Sequence, residues 1–180
     1  MTKQNKLPWI EKAKEYIGTA EKVGKAENPV IVKMWEQTFI ATNQSEKLKQ
    51  AVWRTENTPW CGGFVGFILS STGLTKHIPQ AFPLARAWAS AGTRLEKPAY
   101  GCVVVFSRNG GGHVGFVVGK DKFGNLMVLG GNQGDAVNIK PFAKSRVLAY
   151  RWCGTQSHPA PHRYELPVLG SDGKVSTNEQ

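Results

Sequence analysis

Through the first 92 residues the apolar positions recur every three or four places, and after Gly101 they recur every second place or run together. Trp9, Ala13, Tyr16 and Ile17 fall at helical spacing, which predicts a first helix opened by Pro8 and closed by Gly18. Asn28 as cap and Pro29 at the first helical position predict a second, with Ile31, Met34, Trp35, Thr38 and Phe39 along one face. TPWCGGFVGFILSSTGL, from Thr58 to Leu74, reads as a third helix, and QAFPLARAWASAG as a fourth that Gly92 can close. The runs CVVVFS, HVGFVV, LMVLGG, AVNI and VLAYRW are β-rich and are separated by turn chemistry, which predicts an antiparallel meander. Helices followed by strands make an α+β domain over residues 8–152, its N-terminal helices packed on a C-terminal antiparallel sheet of about five strands. Residues 153–180 have little periodicity and much Pro, Ser and Gly, so they read as an irregular tail.

Composition adds limits. A chain of 180 residues, 41% hydrophobic and 20% charged, suits one globular domain. No apolar run approaches the roughly 20 residues that span a bilayer. The start MTKQNKLPWIEKAKEY lacks the apolar stretch of a secretory signal, so synthesis in the cytoplasm without a signal peptide is expected. Cys61, Cys102 and Cys153 lie far apart with no CxxC pair, which suggests neither a disulfide framework nor a zinc site. A net charge of +10 favours a polyanionic partner. The lysines are scattered, however, without the basic stripe interleaved with aromatics that nucleic acid calls for, so no nucleic-acid partner is expected.

The chemistry centres on Cys61. With Thr58 as cap and Pro59 first, Cys61 is third in its helix, where free N–H groups and the positive helix end lower a thiol pKa and can hold an oxyanion. Gly62, Gly63 and Gly66 each cost the helix about 1 kcal/mol relative to alanine, which makes sense if another chain or a substrate must come close. The competing reading is a plain core cysteine on a face with Phe64, Val65 and Ile68. His77, His158 and His162 read as surface residues, whereas His113 begins a strand after three glycines. A turn centred on residues 121–124 has its midpoint at 122.5, so paired residues add to 245 and His113 faces Asn132. A slip of one residue would offer Gly131 or Gln133 instead. An ordinary strand-edge histidine is the alternative, but together the three residues form the nucleophile, base and orienter of a cysteine hydrolase.

TPWCGGFVGFIL, GCVVVFSRNGGGHVGFVVG, VLGGNQGDAVNI and YRW, with PWIEKAKEYIGTAE and ENPVIVKMWEQT upstream, resemble the NlpC-type and CHAP-type papain-like cell-wall peptidases. The similarity, to a small subgroup seen in phage lysins and secreted antibacterial effectors, runs from about Pro8 to Trp152. It implies a papain-like fold, Cys61 as nucleophile, His113 as general base and Asn132 as third polar residue. The implied substrate is the peptide of peptidoglycan, cut at an amide bond through an acyl-enzyme by a monomer without metal or cofactor. Trp53 and Trp60 flank the site in sequence and line either its groove or the core. Two departures stand out: the strand that usually opens Gly-Asp opens Gly101-Cys102, removing a loop-fixing carboxylate, and many relatives carry histidine as third residue. A cysteine-dependent acyltransferase or deamidase, or a non-catalytic wall-binding module, would keep the same fold. A wall hydrolase made without a leader would reach the periplasm through a holin or a secretion machine, and a delivered effector would need an immunity protein in its producer.

Overall fold

The structure is a computed structural model that describes residues 6–22 and 27–177. Three helices, α1 (Pro8–Lys14), α2 (Pro29–Ala41) and α3 (Cys61–Ser71), precede a six-stranded antiparallel sheet. Its strands are β1 (Thr93–Leu95), β2 (Val103–Arg108), β3 (Gly111–Lys120), β4 (Leu126–Gly130), β5 (Asn138–Phe142) and β6 (Val147–Trp152). The order β1-β6-β2-β3-β4-β5 keeps β2 to β5 as the expected meander, but the chain then returns, so that β6 pairs with β2 instead of extending from β5. The architecture is α+β, with one strand more than the hydrophobic pattern predicts. The extra strand is β1, whose three residues are too few and too polar to register as an alternation.

Asn28 caps α2 as expected, its side chain accepting from the Val30 N–H at 2.9 Å, and Ile31, Met34, Trp35, Thr38 and Phe39 are buried. The first helix is shorter than its pattern: α1 ends at Lys14, residues 15–18 turn, and Ile17 is exposed. The predicted fourth helix does not form as an α-helix. Its place is taken by a 3₁₀ segment over Ala85–Ser90, because Trp88 folds back to donate its indole N–H to the Phe82 carbonyl at 2.9 Å. His77 is half-buried and not a surface residue, whereas His158 and His162 are exposed.

The glycines of α3 answer to the chain's own packing. A Cβ at Gly63 would meet the Trp35 ring at 3.0 Å, one at Gly66 would strike Thr38 of α2, and one at Gly62 would strike the Phe82 carbonyl oxygen. Removing those three side chains lets α3 lie flush against α2 and the loop at residue 82, with its other side on β3. Nine of its eleven residues are buried. Trp60 is fully buried and Trp53 packs on Trp35 and Phe39, so both belong to the core. After Trp152 the chain is irregular yet tied down: Arg163 O accepts from Tyr100 N at 2.7 Å, Pro167 O from Lys120 N at 2.9 Å, and Ser176 N donates to Pro141 O at 2.7 Å.

Candidate active site

Thr58 does not cap α3. Its hydroxyl donates to the Val52 carbonyl at 2.7 Å, Trp60 is the residue before the helix, and Cys61 is first in the helix, not third. The first-turn environment is the expected one, but its effect on the thiol is not. Cys61 is 5% exposed, and burial, the largest influence, pushes its thiol above the ordinary range. The N–H groups of Val114, Gly62 and Cys61 itself, and the charge of Arg108, act in the opposite direction without overcoming it. The Val114 contact sets the sulfur beside the residue that follows His113.

His113 sits near the start of β3, opposite Phe106 of β2, and is 1% exposed. Its ring is parallel to that of Phe142, with centroids 5.2 Å apart and an interplanar angle of 3°, and Phe106 stacks at 6.4 Å. The imidazole plane is thereby fixed by two buried rings.

The register arithmetic holds where the strands pair, and fails where it matters. Phe116 pairs with Leu129 and Val117 with Val128, as a sum of 245 requires, although a bulge between Val117 and Gly119 shifts the turn end by one. Extrapolated, His113 would face Asn132. But β4 ends at Gly130, and Asn132 takes a left-handed φ of 58°, which ends the alternation and swings the next side chain inward. Gln133, not Asn132, meets His113: Gln133 Oε1 lies 3.0 Å from His113 Nε2. Asn132 is buried and its Oδ1 has no hydrogen-bond partner.

The orientation of that amide is dictated by its other end. Gln133 Nε2 donates toward Val128 O at 3.2 Å, Asn138 O at 2.9 Å and Asn138 Oδ1 at 2.9 Å, while Asn138 Nδ2 returns a bond to Gln133 O at 2.7 Å. Two of the three acceptors are backbone carbonyls, so a flipped amide would set oxygen against oxygen. Oε1 therefore accepts, His113 Nε2 carries the proton, and in the neutral ring Nδ1 carries the lone pair. Gly130 and Gly131 make the assembly possible: a Cβ at Gly130 would lie 3.3 Å from His113 Nε2, and one at Gly131 would lie 2.6 Å from the Trp60 ring. The loop thus touches both the histidine and the start of the cysteine helix.

Further residues frame the site without forming part of its chemistry. Glu56, whose position just before α3 gives no clue to its role, is buried and accepts from Lys22 N at 2.6 Å and Asn28 N at 2.7 Å. Glu21 accepts from the Trp60 indole at 2.8 Å, and burial pushes its carboxyl above the ordinary range. Among the described residues no cluster of three His, Cys, Asp or Glu is placed to hold a metal, and no helix is long and apolar enough to cross a membrane.

A cysteine at a helix start, a histidine on the adjoining strand and an amide in contact with it thus lie together. Residues 53–132 match the CHAP domain. The match takes in Cys61, His113 and Asn132 and stops one residue short of Gln133. CHAP is a papain-like fold, in agreement with the observed α+β architecture, and CHAP domains are in general cysteine- and histidine-dependent amidases or peptidases. No curated protein and no solved structure is significantly similar to the chain. Asn138 and Arg108 act on the site from positions that carry no local motif, and only the fold brings them there.

Proposed function

We propose that this chain is a peptidoglycan hydrolase that cuts an amide bond of the stem peptide or crosslink through a cysteinyl acyl-enzyme. The observation that carries the reading is the Gln133–His113 contact, which leaves a basic Nδ1 on an imidazole immobilised next to the strand position that touches the Cys61 sulfur. In the resting enzyme a buried thiol held high favours the neutral thiol and imidazole over a preformed ion pair. As the sulfur attacks the amide carbonyl, His113 Nδ1 takes the thiol proton, and the N–H of Cys61 at the helix start stabilises the oxyanion. His113 then gives the proton to the leaving amine, and water attacks the thioester to release the acyl group. Gln133 is the third residue in this scheme, accepting from Nε2 throughout. Cleavage of this polymer harms any unprotected cell wall, so an antibacterial role, as lysin or delivered effector, belongs to the same proposal.

Digestion of purified Gram-negative peptidoglycan by the wild type and by Cys61→Ala, with released muropeptides identified by mass spectrometry, tests it. Soluble fragments from the wild type alone are expected, and their masses name the bond. Intact sacculi with both proteins refute hydrolysis of that wall, and a Cys61-dependent mass change without chain release transfers the assignment to an acyltransferase or deamidase.

A further inference from the structure

Three arginines from separate segments converge on one surface groove of about 590 Å³, lined by Arg86, Ser107, Arg108, Asn109, Arg146 and Thr177. Each is linked to the candidate active site in a different way. Arg86 donates through Nε to Gly111 O at 2.8 Å, and its stem packs where a Cβ of Gly112, the residue before His113, would stand. Arg108 ends β2 and its charge lowers the Cys61 pKa. Arg146 is fixed by Ser107 O at 3.1 Å and Ser176 O at 2.9 Å, and its guanidinium lies 5.8 Å from the Phe142 ring that stacks on His113.

Two of the three guanidinium charges have no carboxylate partner among the described residues. The ion pairs among the described residues are Lys12–Glu15, Lys14–Glu11, Lys49–Glu46 and Arg94–Glu96, so neither Arg86 nor Arg108 is matched by a described carboxylate. Arg108 makes no hydrogen bond to a described residue, and the two terminal nitrogens of Arg86 make none either. Guanidinium donors fork to fit a planar carboxylate, and two of them flanking a neutral wall of Ser107 and Asn109 suit an anion presented on an extended chain.

We infer that this groove is a substrate subsite that binds a free carboxylate of the peptide whose neighbouring amide is presented to Cys61. The inference rests on the hydrolase reading above and adds the substrate's charge to it. A peptide rich in free acids, as wall stem peptides are, would be held by Arg86 and Arg108 while its carbonyl meets the sulfur, and amidation of that acid would remove the recognised group.

The test uses matched stem peptides in which each free carboxylate in turn is replaced by its carboxamide. For one position the wild type should cleave the acid at least about tenfold faster in kcat/KM than the amide, the worth of one charge-assisted hydrogen bond. In Arg86→Gln/Arg108→Gln that ratio should fall to within about twofold, and Arg86→Lys should restore part of it. The ratio is the readout because an effect of Arg108 on the thiol cancels between the two substrates. The same peptides titrated into Cys61→Ala and followed on the arginine side-chain NMR signals measure the preference without turnover. Equal handling of acid and amide at every position, a preference unchanged in the double variant, or tighter binding of inorganic phosphate than of the peptide acid overturns the inference. Acid-selective binding to Cys61→Ala together with no cleavage by the wild type would refute the hydrolase reading and leave the groove standing.

Discussion

Replacing Gln133 should damage both the fold and the chemistry, and replacing Asn132 should damage neither. The Gln133 side chain contacts His113 Nε2 at 3.0 Å, Val128 O at 3.2 Å, and Asn138 O and Oδ1 at 2.9 Å each. A hydrogen bond is worth about 1 kcal/mol net, and a buried partner left unpaired costs about 1–3 kcal/mol, so Gln133→Ala should lose about 3–4 kcal/mol of stability. Its kcat should fall about 100-fold, because the imidazole loses the acceptor that fixes its rotation within the plane set by the stacked rings. Asn132→Gly is the control: Oδ1 has no partner to lose, and glycine takes the φ of 58° without strain. That variant should keep kcat within about threefold and stability within about 1 kcal/mol of the wild type. The assays are urea unfolding, muropeptide release, and long-range proton–nitrogen NMR of the His113 ring, which should show Nε2 protonated in the wild type and mixed tautomers in Gln133→Ala. A wild-type ring protonated at Nδ1, or an Asn132→Gly variant as impaired as Gln133→Ala, refutes the reasoning.

Three further outcomes are expected. Burial pushes the Cys102 and Cys153 thiols up to about 12 from the ordinary 9.0, so their stabilising contribution is complete below pH 9 and is lost as pH rises toward 12. Each of the two, once ionised in the unfolded chain, contributes a slope of about 1.4 kcal/mol per pH unit, and urea midpoints across this window should show the slope smaller by about that amount in Cys102→Ala. Gly62→Ala should destabilise by about 2–4 kcal/mol despite a helix-propensity gain of about 1 kcal/mol, because the new methyl strikes the backbone carbonyl of Phe82. A more stable variant in urea would contradict this. Iodoacetamide alkylation of Cys61 should have its pH midpoint above that of an ordinary thiol, and Arg108→Gln should move it higher still, since the guanidinium favours the thiolate. A downward shift would show that Arg108 does not act on the sulfur.

What the chain discloses on its own is what local rules control. A proline before a glycine-rich helix, a strand opening after glycines and a change of hydrophobic period are enough to single out Cys61 and His113 as candidates and to give the α+β class. The neighbour of His113 escapes those rules because it is set by a chain reversal: the strand stops at Gly130, and left-handed Asn132 turns Gln133 inward, so a register carried past the strand end names the wrong contact. The glycines of α3 are legible as a close approach, but their partners, Trp35, Thr38 and Phe82, are known only once α2 and the loop at residue 82 have packed. The arginine groove is invisible in sequence because positions 86, 108 and 146 meet only in three dimensions.

Position 102, where the family resemblance implies a carboxylate, carries a cysteine, and the loop before β2 is held by its backbone. Cys102 is fully buried, and its own side chain offers no charge to fix anything. The backbone does the fixing: Cys102 N donates to Ala99 O at 3.0 Å, Gly101 N to Val117 O at 2.7 Å, and Val117 N to Cys102 O at 2.9 Å. The Trp9 indole donates to Gly101 O at 2.8 Å from α1, and Arg163 O accepts from Tyr100 N at 2.7 Å from the other direction. Helix α1 and the segment beyond Trp152 therefore hold the entry to the strand pair that carries His113. The same segment fixes Arg146 through Ser176 O, so the positions of His113 and of the groove beside it depend on residues outside the stretch that matches the CHAP domain.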